Sequence, residues 1–149
     1  FTTLAAAAAV TTRIKLGTGI ALAFTRSPLE TACSAIDLDH ISDGRVVLGL
    51  GSSAESQIEG SFGMPYGKPL KHMREIVGQV RAVIEQGHTG GLKRLEGEYN
   101  TLDLSHFRLI HPPRRPAIPI YLPAVFEKAC EQAGAIADGL LGHPLGKPQ

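Results

Sequence analysis

The sequence predicts an α/β fold built on a parallel sheet, and three observations carry that prediction. Strand-like apolar runs alternate with segments of helical period along the 149 residues, the pattern of consecutive βα units. The run RVVLGLG, residues 45–51, is apolar without alternation, which fits a strand buried on both faces. Two strand runs, KLGTG and LGLGS, end in glycines, where a missing Cβ lets another group approach the backbone closely.

The elements follow in order. Residues 1–11 are alanine-rich and helical by propensity. RIKLGTGIAL, residues 13–22, is a strand with Gly17 and Gly19 near its end. In SPLETACSAIDLDHIS, Ser27 is an N-cap, Pro28 suits the first helical position and Glu30 completes an S-x-x-E capping box. Leu29, Ala32, Cys33, Ile36 and Ile41 give that helix one apolar face. Asp43 and Gly44 turn the chain into the strand at 45–51. Residues 52–68 read as irregular. Leu70, Met73, Ile76, Val77, Val80 and Ile84 mark a long amphipathic helix from near Pro69 to near Gly87. HTGGLKRLEGEYNTLDL predicts a small hairpin. A third strand covers 118–122, a helix is marked by Phe126, Ala129, Cys130 and Ala133, and a short fourth strand covers 139–142.

Gly49-Leu50-Gly51-Ser52-Ser53-Ala54 matches G-x-G-x-x-G/A, the signature of a dinucleotide-binding turn. The context argues against it. The expected helix start lies only near Pro69, after Gly60, Gly63, Pro65 and Gly67, whereas a Rossmann turn runs straight into its helix. No second strand ends in an acidic residue about 20 positions on.

Composition narrows the partners. A net charge of +1 with 19% charged residues points to neither nucleic acid nor a membrane surface. No apolar run approaches the roughly 18 residues of a membrane helix, and no secretory leader is present, so a cytoplasmic location is expected. Cys33 and Cys130 read as small buried hydrophobes. None of the six histidines shows metal-ligand spacing, so no metal is expected. The chain opens inside a helix at Phe1 and closes on a Gly/Pro run after a strand, so residues 1–149 are expected to be a piece of one domain.

LGTGI, LDHISDGRVVLGLG and AGAIADG, in that order and spacing, resemble the luciferase-like monooxygenase superfamily, and most closely its coenzyme F420-dependent oxidoreductases. The resemblance implies a (β/α)8 barrel, of which this chain carries about strands 3 to 6. It implies an oxidoreductase passing hydride between reduced F420 and a small organic substrate. An FMN-dependent monooxygenase is the alternative within enzymes, and a non-catalytic truncated half-barrel the alternative outside them. The full-length protein would be a possible homodimer. The family's strand 3 carries a bulge with a non-prolyl cis peptide behind the cofactor ring, which falls here on Gly19 and Ile20. In the isolated piece, without strand 2, that bond is expected to be able to relax to trans.

The candidate site residues follow. Thr18, Gly19 and Ile20, with Gly17 before them, would form the bulge behind the deazaflavin ring. Gly51, Ser52 and Ser53, after Gly49, would meet the cofactor's side chain or head group. Glu55, in the same loop, could serve as general acid or base if buried. His143, just past the fourth strand, could line the pocket. His40 sits in the last turn of its helix, where a positive charge suits the dipole. Asp43 and Asp138 precede strands and belong on the stability face of a barrel. Phosphate sites in such barrels are usually built by the loops after strands 7 and 8. The chain alone should therefore bind neither F420 nor FMN tightly and be inactive.

Overall fold

The computed structural model describes residues 1–142. Helix α1 (Thr2–Ala9) leads into an interrupted strand, β1 (Leu16–Gly17) and β2 (Ala21–Leu22). Then come α2 (Pro28–Ile41), β3 (Val46–Gly51), α3 (Glu55–Phe62) and α4 (Pro69–Gln86). A hairpin of β4 (Arg94–Leu95) and β5 (Leu102–Asp103) precedes β6 (Ile120–Pro123), α5 (Glu127–Ile136) and β7 (Gly139–Leu141). The main sheet is wholly parallel, in the order β1/β2, β3, β6, β7. Strand order follows chain order without a reversal, so the sheet curls one way as part of a barrel and has no switch point of the doubly wound kind.

Alternation along the strands separates two faces. Val46, Leu48 and Leu50, with Ile120 and Leu122, are all buried and join the core with Ala32, Ala35 and Ile36 of α2 and Ile76, Val77 and Val80 of α4. Burying each such large side chain stabilises the fold by roughly 1.5–3 kcal/mol. The register Gly49–Tyr121–Gly139 puts these residues on the opposite, concave face, with Gly51, Pro123 and Leu141 above them.

The amino ends of the strands are tied together by charged side chains, buried at Arg45 and Asp39 and exposed at Asp43. The Arg45 guanidinium donates to the carbonyls of Ala8, Thr11, Ile14 and Ser42 at 2.6–3.2 Å, collecting loose carbonyls at the ends of α1 and α2. Asp39, 1% exposed, takes a bidentate pair from Arg115 and the Val46 N–H. Asp138 accepts from Ile120 N–H and Arg81, both at 2.8 Å. Asp43 pairs with Arg114. Both aspartates hold structure at this end, as their positions suggested.

Several expectations need correction. The strand at 13–22 is broken in its middle. Residues 52–68 are not all irregular: α3 begins at Glu55, and only its Ile58 is buried, too little apolar periodicity to read from sequence. A helix therefore does follow the glycine turn closely, and the sheet order, not the helix start, excludes a Rossmann fold. At α2, Ser27 Oγ accepts from Leu29 N–H as predicted, but Glu30 pairs with Arg26 instead of closing a capping box. Cys33 is half-buried, but Cys130 is exposed on α5. The third strand starts at Ile120, because Pro119 has no N–H to donate, although its carbonyl still accepts from Leu48. Among the described residues no helix is long and apolar enough to cross a membrane.

Candidate functional site

The break between β1 and β2 is a β-bulge. Gly17 pairs with Val47 and Ala21 with Leu50, so Thr18, Gly19 and Ile20 face only Leu48 and Gly49. The Gly19–Ile20 peptide is cis, at the position the resemblance implied. Thr18 Oγ1 donates to Gly49 O at 2.7 Å and staples the bulge to β3.

The glycines of β3 stand where the bulge comes closest to the strand. A Cβ on Gly49 would stand 2.0 Å from Thr18 O and 2.8 Å from Leu141 Cδ1. A Cβ on Gly51 would stand 2.0 Å from Ile20 Cδ1 and 3.0 Å from Pro123 Cγ. These two glycines make room for the bulge itself. The open position is Gly19, exposed, with no heavy atom within 4 Å of where its Cβ would be. Residues 18–20 thus form a backbone shelf, buttressed from β3 and bare on one side.

At the carboxyl end of β3, Ser52 and Ser53 are half-buried, and Ser53 adopts φ +59°. Ser53 Oγ pairs with Gln57 on the first turns of α3. The Tyr66 hydroxyl donates to Ser53 O at 3.0 Å. Structure thus brings Thr18, Gly19, Ile20, Gly51, Ser52 and Ser53 together at neighbouring strands. A small cavity of about 80 Å³ lies behind Gly51 and Ser52, lined by Leu70, Met73, Leu122 and Gln132.

Sequence reasoning missed the aromatic pillar beside this loop. The His72 ring stacks on Phe24 at 3.9 Å and on Tyr99 at 4.2 Å, and Tyr66 meets Phe24 edge-on at 5.4 Å. Phe24, His72 and Tyr99 line a groove of about 250 Å³ beyond β2. Burial pushes the His72 imidazole below its usual pKa, while its hydrogen bond to Tyr66 O and the Glu75 charge pull the other way. The chain holds only three tyrosines and five phenylalanines, and that scarcity was the one signal available.

The two acid/base candidates fare differently. Glu55 opens α3 with an exposed side chain, so the burial a general acid there requires is missing. His143 lies outside the described residues. Among the described residues no cluster of His, Cys, Asp or Glu could hold a metal ion. The site offers a shelf, a hydroxyl-bearing loop and an aromatic wall: the means to place a flat ligand, with no proton-transfer group assembled among the described residues.

Comparison with known proteins agrees with this architecture. A Mycobacterium tuberculosis protein of no assigned function is 39% identical over 146 residues, 97% of this chain and 43% of its own length. A second M. tuberculosis protein, named as a coenzyme F420-dependent oxidoreductase, is 35% identical over 95% of this chain and 42% of its own. The solved coenzyme F420-dependent tetrahydromethanopterin reductase of Methanopyrus kandleri superposes with a TM-score of 0.78 at 29% identity, over 93% of this chain and 42% of that one. The chain therefore spans less than half the length of these relatives and forms part of a barrel. The model of the luciferase-like monooxygenase family matches residues 1–149, and the chain belongs to that family.

Proposed function

We propose that the protein is an oxidoreductase that binds coenzyme F420 and passes hydride between the reduced deazaflavin and a small organic substrate. The observation that carries this reading is the shelf at residues 18–20, closed against Gly49 and Gly51 and open at Gly19. The fit can be judged on those atoms: a planar tricycle needs a flat, side-chain-free surface that does not yield, and the bare Gly19 on its stapled bulge supplies one.

In this reading Thr18, Gly19 and Ile20 hold the ring, and Ser52 and Ser53, next to Gly51, hold its side chain or head group. The bound cofactor supplies the hydride-carrying ring carbon. The chain's own residues position and shield. The Thr18 hydroxyl is committed to Gly49 O, so it fixes the shelf and does not move a proton. Phe24, 3% exposed, and the Tyr66 ring keep water from the outer side of the loop. Relatives named for F420 support the choice of cofactor. A structural neighbour in complex with FMN shares the fold alone, at 22% identity, so FMN is the competitor in the test.

The test is a fluorescence titration of the full-length protein with F420 and with FMN. F420 should bind at least about tenfold more tightly, a preference of about 1.4 kcal/mol. A preference for FMN, or no F420 binding, would overturn the proposal.

A further inference from the structure

Ser53 sits at φ +59°, a conformation that a serine keeps only where its surroundings hold it. Tyr66 is the anchored member among those surroundings. Its N–H donates to Glu59 Oε1 at 3.2 Å, its carbonyl stands 3.4 Å from His72 Nδ1, and its ring packs edge-on against buried Phe24. From that fixed base its hydroxyl donates to Ser53 O at 3.0 Å and stands 3.4 Å from Ser52 Oγ. The orientation of the Ser53 carbonyl is the orientation of the peptide joining the loop to α3. Holding that carbonyl therefore holds the loop's backbone direction.

We infer that Tyr66 is a positioning residue: its hydroxyl keeps Ser53 left-handed and so aims the 51–53 loop at the ligand. The inference rests on the proposed role of that loop in cofactor binding. It has a distinctive consequence. Glycine enters the left-handed region as readily as the right-handed one. With glycine at position 53 the tyrosine hydroxyl should therefore matter less.

The experiment compares wild type, Tyr66→Phe, Ser53→Gly and the double variant of the full-length protein by two measurements. Amide hydrogen exchange of residues 51–55, without cofactor, reads the loop; titration with F420 and FMN reads binding. Tyr66→Phe should speed exchange and weaken binding about fivefold each, the effect of one net hydrogen bond. In the Ser53→Gly background the same change should cost about twofold or less. Unchanged exchange in Tyr66→Phe, or an equal loss in both backgrounds, would overturn the inference. Ser52 Oγ also donates to Ser53 O, at 3.3 Å, and stays in place in all these variants. Gln57→Ala, on the exposed side of α3, removes the tie on the Ser53 hydroxyl and should leave exchange within about twofold of wild type; damage equal to that of Tyr66→Phe would also overturn it. If wild type binds neither cofactor, the proposed function fails, and the exchange data alone decide the role of Tyr66.

Discussion

An alanine at position 49 would press its Cβ into the Thr18 carbonyl, 2.0 Å away, a backbone group of a residue stapled to β3 that cannot rotate aside. At position 51 the obstacle is the tip of Ile20, which can rotate, and the ring of Pro123. Gly49→Ala should therefore destabilise by about 3 kcal/mol and Gly51→Ala by about 1–2 kcal/mol, the range of overpacked cores. Urea melts of the two variants check both the direction and the order; a Gly51 variant less stable than the Gly49 variant would refute this account. At this scale the sequence announced that glycines mattered, but not for whom. The motif is the same whether a ligand or a bulge fills the space, and the filler, Thr18, lies 31 positions earlier.

Helix α4 carries two messages on its surface. Of its apolar stripe, Met73, Ile76, Val77, Val80 and Ile84 are legible in the sequence and lie in the core; Val83 joins them, while Leu70, read with them, is exposed. Its polar stripe, His72, Glu75 and Gln79, lies on one face by the same period and grips the hairpin. Glu75 accepts backbone N–H bonds from Glu98, Tyr99 and Asn100 at 2.6–3.2 Å, and Gln79 donates to Asn100 O at 2.6 Å. Glu75→Gln puts an N–H donor where one carboxylate oxygen accepts, and should cost about 1–3 kcal/mol. The loss should be local, seen as faster amide exchange across residues 94–103 with a smaller change in global melting.

His72 adds a pH term. Its ring lies between Phe24 and Tyr99, with Tyr66 O and Asn100 at its nitrogens and Glu75 nearby. Burial, the leading cause, places its folded pKa below the unfolded imidazole value of about 6.5. The unfolded chain thus binds the proton more readily below that pH. This stability is whole above pH 6.5 and is lost as pH falls through the folded pKa. Melting temperature should drop more steeply between pH 7 and 5 in wild type than in His72→Phe. Parallel curves would reject the assignment.

For the whole molecule the governing fact is a sheet that curls without closing over the described residues. β1/β2 pairs only with β3, and β7 only with β6. Unpaired edges of a parallel, apolar sheet are templates for other chains. The 149-residue chain produced alone should therefore self-associate, and size-exclusion chromatography giving a stable cooperative monomer would count against this. Produced alone it should also bind F420 and FMN weakly, because a bare shelf and the two half-buried serines of one loop offer a ligand few contacts. Submicromolar binding by the isolated chain would mean that the loop at 51–53 is itself the anchor.

The sequence by itself determined the order and kind of most elements, because hydrophobic period and turn chemistry are local and repeat many times within each element. It also marked the bulge, through the short motif GTGI, whose resemblance to the luciferase-like family placed a cis peptide at the position the structure shows. Only the tertiary structure decided the rest. Helix α3 buries a single residue, so it carries no apolar period to read. The pillar of Phe24, Tyr66, His72 and Tyr99 draws on four separate segments, and contacts between distant segments leave no period to read. Glu55 looked like a candidate acid in the chain and proved exposed, because burial is a property of the fold and not of the residue.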